Sequence, residues 1–178
     1  MTFNRKFGLY VCDGDIITTE QDGFKITARI EHDEYAGMPW SREDGHGPVS
    51  DWTRRAKRPG ERILCQDRQS YRYYDFEEAV KIAKRDGWGP GTPAEAAEHD
   101  FKVLKAWCND EWRYVGVVLS VSKNGVSVNE HAASLWGIEA NYPDSDNSYL
   151  TDVANELLGE ALEVAKNSLK NMVGKLTA

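Results

Sequence analysis

No apolar run in this 178-residue chain approaches the roughly 20 residues that span a bilayer, and the opening MTFNRKFGLYVCDGD turns acidic before a signal-peptide core can form. The expected setting is the cytoplasm, with no membrane partner. Cysteine is scarce: Cys12, Cys65 and Cys108 are odd in number, lie more than forty residues apart and form no C-x-x-C pair. That spacing excludes the usual zinc and dithiol signatures and reads as three reduced, buried thiols. Also missing are G-x-G-x-x-G, G-x-x-x-x-G-K-[ST] and a G-x-S-x-G elbow, so neither a phosphate cradle nor a motif-defined nucleophile is expected, and no cofactor. Positive charge is in deficit, with 22 Lys and Arg against 29 Asp and Glu for a net charge of -7. This disfavours passive adhesion to nucleic acid or to an anionic membrane.

What is present suits a folded domain. Hydrophobic residues make up 40% and charged residues 29% of the chain, and a chain of this size buries ~70% of its unfolded surface, enough for a core without staples. Charge is unevenly spread. Glu31 to Asp51 carries six acids and one base, Trp52 to Arg85 ten bases and five acids, and Asn124 to Ala165 eight acids with no Lys or Arg. Such blocks are normally solvated surface, and they become functional only if folding segregates them.

Local patterns predict the elements. Phe24, Ile26, Ala28 and Ile30 alternate with polar residues, the period of a strand with one buried face, and Asp22-Gly23 turns it back onto Ile16 to Thr19. Gly37, Pro39, Gly45, Gly47 and Pro48 mark a loop from Ala36 to Pro48. A short helix capped by Ser50 is predicted through Arg55, then strands at Ile63 to Gln66 and Tyr71 to Tyr74. Asp75 caps a helix that Gly87 stops, and Thr92-Pro93-Ala94-Glu95 opens a second helix, to about Trp107, as a capping box with proline at its first position. Strands follow at Trp112 to Val121, Val126 to Asn129 and Ser134 to Ile138, with a last helix from Tyr149 to about Leu169. Strands, two helices, strands and a helix in that order predict a single α+β domain over residues 1–178, with antiparallel sheet and about three main helices.

Three constellations are candidates for function. The last helix places Leu150, Val153, Ala154, Leu157, Leu158, Ala161, Leu162, Ala165 and Leu169 on one broad face. Asp152, Glu156, Glu160 and Glu163 fall at i, i+4, i+8 and i+11 on the opposite stripe, with Asp144 and Asp146 at the helix start. Successive carboxylates would stand about 6 Å apart at 1.5 Å per residue, a spacing a phosphate-binding surface could take for nucleic-acid backbone. Second, His32, Glu34, Glu43, Asp44 and His46 could serve a hydrolytic or metal-dependent enzyme if folding gathers them, although their spacing matches no metal signature. Third, Trp52, Arg54, Arg55 and Arg58 open a basic, aromatic stretch to Arg72 with the ingredients of a single-strand nucleic-acid surface. Each weighs against a plain alternative: solvated helix, glycine-rich loop, and cations paired with nearby acids.

The runs PWSREDGHGPVSDWTRRAKRPGERIL at Pro39 to Leu64, YYDFEEAVKIAKRDGWG at Tyr73 to Gly89, AWCNDEWRYVGV at Ala106 to Val117 and LWGIEANYPDSDNSYLTDVANELLGEAL at Leu135 to Leu162 resemble an uncharacterised family of small bacteriophage and mobile-element-encoded proteins. The resemblance covers most of the chain. It implies a setting, an accessory protein in the bacterial host cell, and no catalytic residue. Setting and charge together make a non-enzymatic anti-defence inhibitor or DNA mimic the leading expectation, acting on a host protein with a basic surface such as a defence nuclease or its complex, ahead of nucleic acid.

Overall fold

The structure, a computed structural model, describes residues 2–42, 46–89 and 91–176. It has antiparallel sheets and three helices, the α+β class the element order implies. The chain divides into two compact units, Met1–Ala36 with Trp112–Ala178, and Gly37–Glu111.

Unit 1 is a four-stranded antiparallel sheet of β1 (Ile16–Gln21), β2 (Phe24–His32), β5 (Arg113–Lys123) and β6 (Val126–Ala140), in that spatial order, with α3 (Ser148–Leu176) against it. Both hairpins turn where the residue types demand: Asp22 and Gly23 (φ 52° and 73°) join β1 to β2, and Asn124 and Gly125 (φ 51° and 80°) join β5 to β6. Two residues at positive φ form the turn that matches strand twist. β6 is one strand of 15 residues where the sequence predicts two. Register shifts against β5 absorb the polar interruption at Asn129 to His131, as bulges do. The inner faces of β2 (Phe24, Ile26, Ala28, Ile30) and β5 (Val115, Val117, Leu119, Val121) meet Leu150, Ala154, Leu158, Ala161, Leu162 and Ala165 of α3 in one core.

The segment before β1 belongs to that core through Phe3, Phe7 and Val11. It has no strand partner, so side chains satisfy its backbone: the Phe3 N–H donates to Asn155 Oδ1 (2.7 Å), the Phe7 N–H to Thr151 Oγ1 (3.0 Å) and the Val11 N–H to Asn141 Oδ1 (2.9 Å). Asn147, 1% exposed, donates to the Leu9 carbonyl and accepts from the Asn141 N–H. Buried main-chain groups must find partners, and this arm finds them on and beside α3.

Unit 2 begins with a turn of 3₁₀ helix (Pro39–Ser41) and continues through the hairpin of β3 (Glu61–Asp67) and β4 (Ser70–Asp75), α1 (Phe76–Asp86) and α2 (Pro93–Cys108). Asp75 accepts from the Glu78 N–H and Gly87 closes α1 in the left-handed region, while Thr92 and Glu95 form the reciprocal box at the start of α2. Leu64, Tyr74, Ala79, Ala97 and Leu104 make the core. Two expectations need correction. Ser50 to Arg55 is not helical; the chain there runs antiparallel to β4 through bridges Val49–Tyr74 and Thr53–Tyr71. Cys65 and Cys108, read as reduced thiols, form a disulfide between β3 and the end of α2, with Cα atoms 5.9 Å apart. Forty-three residues of sequence separation carry no information about that approach, which the packing of α2 on β3 creates. Cys12 is exposed and free.

Thiol titration of unreduced, denatured protein is therefore expected to count one reactive cysteine, rising to three after reduction; three before reduction would contradict the Cys65–Cys108 bond.

Candidate functional site

Residues 48–53 of unit 2 are zipped to the free edge of β4. The Asp75 N–H donates to the Pro48 carbonyl (3.0 Å), the Ser50 N–H to the Tyr73 carbonyl (2.9 Å), and Thr53 and Tyr71 exchange both backbone bonds. The Tyr73 N–H donates to Ser50 Oγ at 2.9 Å, so the hydroxyl predicted to cap a helix serves this ladder instead. The ladder seats His46 against α2, where its Nδ1 lies 2.6 Å from Asp100 Oδ1. The other carboxylate oxygen, Oδ2, accepts from the Tyr74 hydroxyl at 2.8 Å.

Asp100 is 8% exposed and Tyr74 fully buried. Burial first, and then the neighbouring Asp100 carboxylate, push the Tyr74 hydroxyl far above its ordinary range, so it remains a donor. With the carboxylate accepting on both oxygens, Nδ1 of His46 is the donor in this contact and Nε2 is left open to another partner. Gly47 makes the approach possible: a Cβ there would lie 2.5 Å from both Asp100 Oδ2 and Tyr74 Cε2. A cavity of about 450 Å³ opens beside the pair, lined by His46, Trp88, Glu95, Ala96, His99 and Asp100. Glu95 is committed to the α2 cap: its Oε2 accepts from the Thr92 N–H and hydroxyl, both at 2.8 Å, which hold the carboxyl below the usual range.

The other residues of the predicted histidine–carboxylate loop do not join this arrangement. Glu43 and Asp44 lie outside the described residues. His32 and Glu34 belong to unit 1, beside a shallow hollow that Asp13, Arg29 and Glu31 also line, and the His32 N–H donates to Asp13 Oδ1 at 2.8 Å. Among the described residues, no three His, Cys, Asp or Glu side chains converge as a metal site. The residues that sequence reasoning missed are Asp100, Tyr74, Trp88 and His99. One signal pointed to Asp100: it stands in the apolar stripe of α2, three residues after Ala97 and three and four before Val103 and Leu104, where a carboxylate needs a partner.

Three cations of the basic stretch are engaged within the unit. Arg55 grips Glu61 with both guanidinium nitrogens and Arg62 pairs with Glu98 at 2.6 Å. The Arg72 guanidinium is buried over the rings of Trp40 and Trp52 (5.3 and 5.1 Å) and donates to the Ser50 carbonyl. Trp52, Arg54, Lys57, Arg58 and Arg68 remain exposed.

Asp152, Glu156, Glu160 and Glu163 lie within α3, and Asp144 and Asp146 precede it. Asp144, Asp146, Asp152, Glu156, Glu160 and Glu163 are all exposed. Asp146 accepts from the Ser148 N–H at 2.9 Å, which holds its carboxyl below the usual range. The four helix carboxylates have no hydrogen-bond or ion-pair partner among the described residues, and the nearest lysine along the helix, Lys166, is taken by Asp22 at 2.7 Å.

The chain matches no family model, no curated protein and no solved structure.

Two outcomes follow from these contacts. Gly47→Ala is expected to lower the unfolding free energy by about 1–3 kcal/mol in denaturant melts, because backbone and a buried ring must separate; an unchanged melt would mean that the loop is not packed on Tyr74. Arg55, chiefly, and the Arg58 N–H hold the Glu61 carboxyl below its ordinary range. Its contribution to stability is thus complete above the ordinary glutamate pKa and lost as pH falls through the depressed folded value. Glu61→Gln should flatten the acid limb of stability against pH, and an unaltered slope would count against the pair.

Proposed function

We propose that unit 1 is a docking module for a basic protein surface, with the outer stripe of α3 as its contact face and no catalysis of its own. The observation that carries this reading is the isolation of Asp152, Glu156, Glu160 and Glu163, four exposed carboxylates in one line with no cation paired to them among the described residues. Charge is segregated between the units as well: unit 1 carries nine Lys and Arg against fifteen Asp and Glu, unit 2 thirteen against fourteen. Like charges at i, i+4 cost ~0.2–0.5 kcal/mol per pair. A partner's Lys and Arg side chains would relieve that repulsion on contact and steer the encounter.

On the resemblance to phage and mobile-element proteins, the proposed partner is a host protein with a cationic groove, with a defence nuclease or its complex as the specific form of the proposal. A surface that occupies such a groove works as an inhibitor or DNA mimic. Asp144 and Asp146, which precede α3, would add to the contact, and Asp146 accepts from the Ser148 N–H.

Reversing Asp152, Glu156, Glu160 and Glu163 to lysine is expected to weaken binding of a partner captured from host cells by about 100-fold or more, since like charges then face each other. Stability should change by less than about 1 kcal/mol, because only the weak i, i+4 terms are altered. Binding that survives the four reversals would remove this face from the account.

A further inference from the structure

The cavity of unit 2 has features that an acidic docking face does not require. Three elements supply them: the segment after the 3₁₀ turn gives His46, β4 gives Tyr74, and α2 gives Asp100 together with the Glu95, Ala96 and His99 side of the wall. Asp100 is a buried carboxylate held on one side by Tyr74 and on the other by His46 (2.8 and 2.6 Å). A buried charge is costly unless every lone pair is used, and this one is spent on fixing an imidazole at the cavity. Gly47 permits the contact through space that a side chain would fill.

The geometry points to the unit 2 cavity as an acid–base site, in which His46 Nε2 takes a proton from a small, flat, mainly apolar molecule carrying a weakly acidic O–H or N–H. This goes beyond the docking reading, concerns a different unit and stands or falls separately. The ligand class follows from the walls. About 450 Å³ suits a small organic molecule, and the half-buried Trp88 indole with Ala96 offers an apolar surface to a flat body. The carboxylates of Glu95 and Asp100 favour a ligand that enters uncharged. Among the described residues a metal ion has no set of ligands here, and Asp100 is already shared between Tyr74 and His46.

The chemistry is a single proton transfer. The ligand O–H bond breaks with its electron pair left on oxygen, an N–H bond forms at Nε2, and the resulting imidazolium keeps its Nδ1–H on Asp100. The anion formed is paired with that imidazolium, and the Asp100 carboxylate stabilises the cation as it appears. Asp100 and Tyr74 are positioning residues; neither is assigned contact with the ligand. His99, exposed at the rim, and Glu95 are the other titratable groups on the wall.

The test uses 4-nitrophenol, whose phenolate is coloured, with 4-nitroanisole as the flat analogue that has no acidic proton. At a pH where free 4-nitrophenol is mainly protonated, the full chain is expected to shift it toward phenolate, and both probes should move the Trp88 indole N–H resonance. His46→Gln should reduce phenolate formation by roughly tenfold or more, as loss of a charge-assisted hydrogen bond does, while leaving the effect of 4-nitroanisole on Trp88 in place. Nitrogen NMR of the unmodified chain gives a readout independent of any variant's folding: Nδ1 of His46 should stay protonated across the titration while Nε2 alone exchanges its proton. Unmoved Trp88, equal phenolate formation in His46→Gln, or a deprotonated Nδ1 at high pH would each overturn the assignment.

Discussion

The amphipathic division of α3 governs what unit 1 can show to a partner. A helix beside a sheet must place its apolar side inward, and here Leu150, Ala154, Leu158, Ala161, Leu162 and Ala165 do so against β2 and β5. A second strip, Asn147, Thr151 and Asn155, meets the N-terminal arm and supplies the partners its backbone lacks. The remaining side is open, and through Glu163 its charged residues are all carboxylates, with Lys166 and Lys170 following. The acidic face is thus bound to the core: rotating the helix to hide it would expose the apolar stripe and abandon the arm.

Unit 2 answers to a different constraint. It is inserted between β2 and β5, strands that pair with each other from Lys25–Ser122 to His32–Val115. Its own centre includes a shared carboxylate. Tyr74 and Asp100 are buried together, and each makes the other's burial tolerable: the hydroxyl donates, the carboxylate accepts, and the second oxygen holds His46. The Cys65–Cys108 bond, the Arg62–Glu98 pair and the Lys105 donation to the Leu64 carbonyl all tie α2 to β3, which fixes the helix that carries Asp100. The acidic face and the histidine cavity therefore rest on separate sets of interactions.

How much of this was legible depended on whether the signal was local. Asp22-Gly23 and Asn124-Gly125 specify their hairpins within two residues, Asp75 and Gly87 bracket α1, and Thr92 with Glu95 opens α2. The periodicity of α3 sorted its apolar and acidic sides correctly. Pairings across long separations left no such trace. Ser50 reads as a helix cap until Tyr73 offers it a strand edge, and Cys65 reads as a lone thiol until α2 brings Cys108 beside it. The polar residues near Glu130 read as a break in β6 because bulges, which absorb them, depend on the partner strand. At the histidine loop, His46 was identified but its partner was not. Asp100 lies 54 residues away on a helix that sequence treats as apolar there.

Carboxyl footprinting tests the docking claim most directly. A water-soluble carbodiimide should label Asp152, Glu156, Glu160 and Glu163 readily in the free chain, and labelling at all four should fall when host-cell partner is bound, while acids of unit 2 such as Glu77 and Glu111 keep their reactivity. Protection elsewhere with these four unchanged, or failure of the free chain to label at them, would contradict the account.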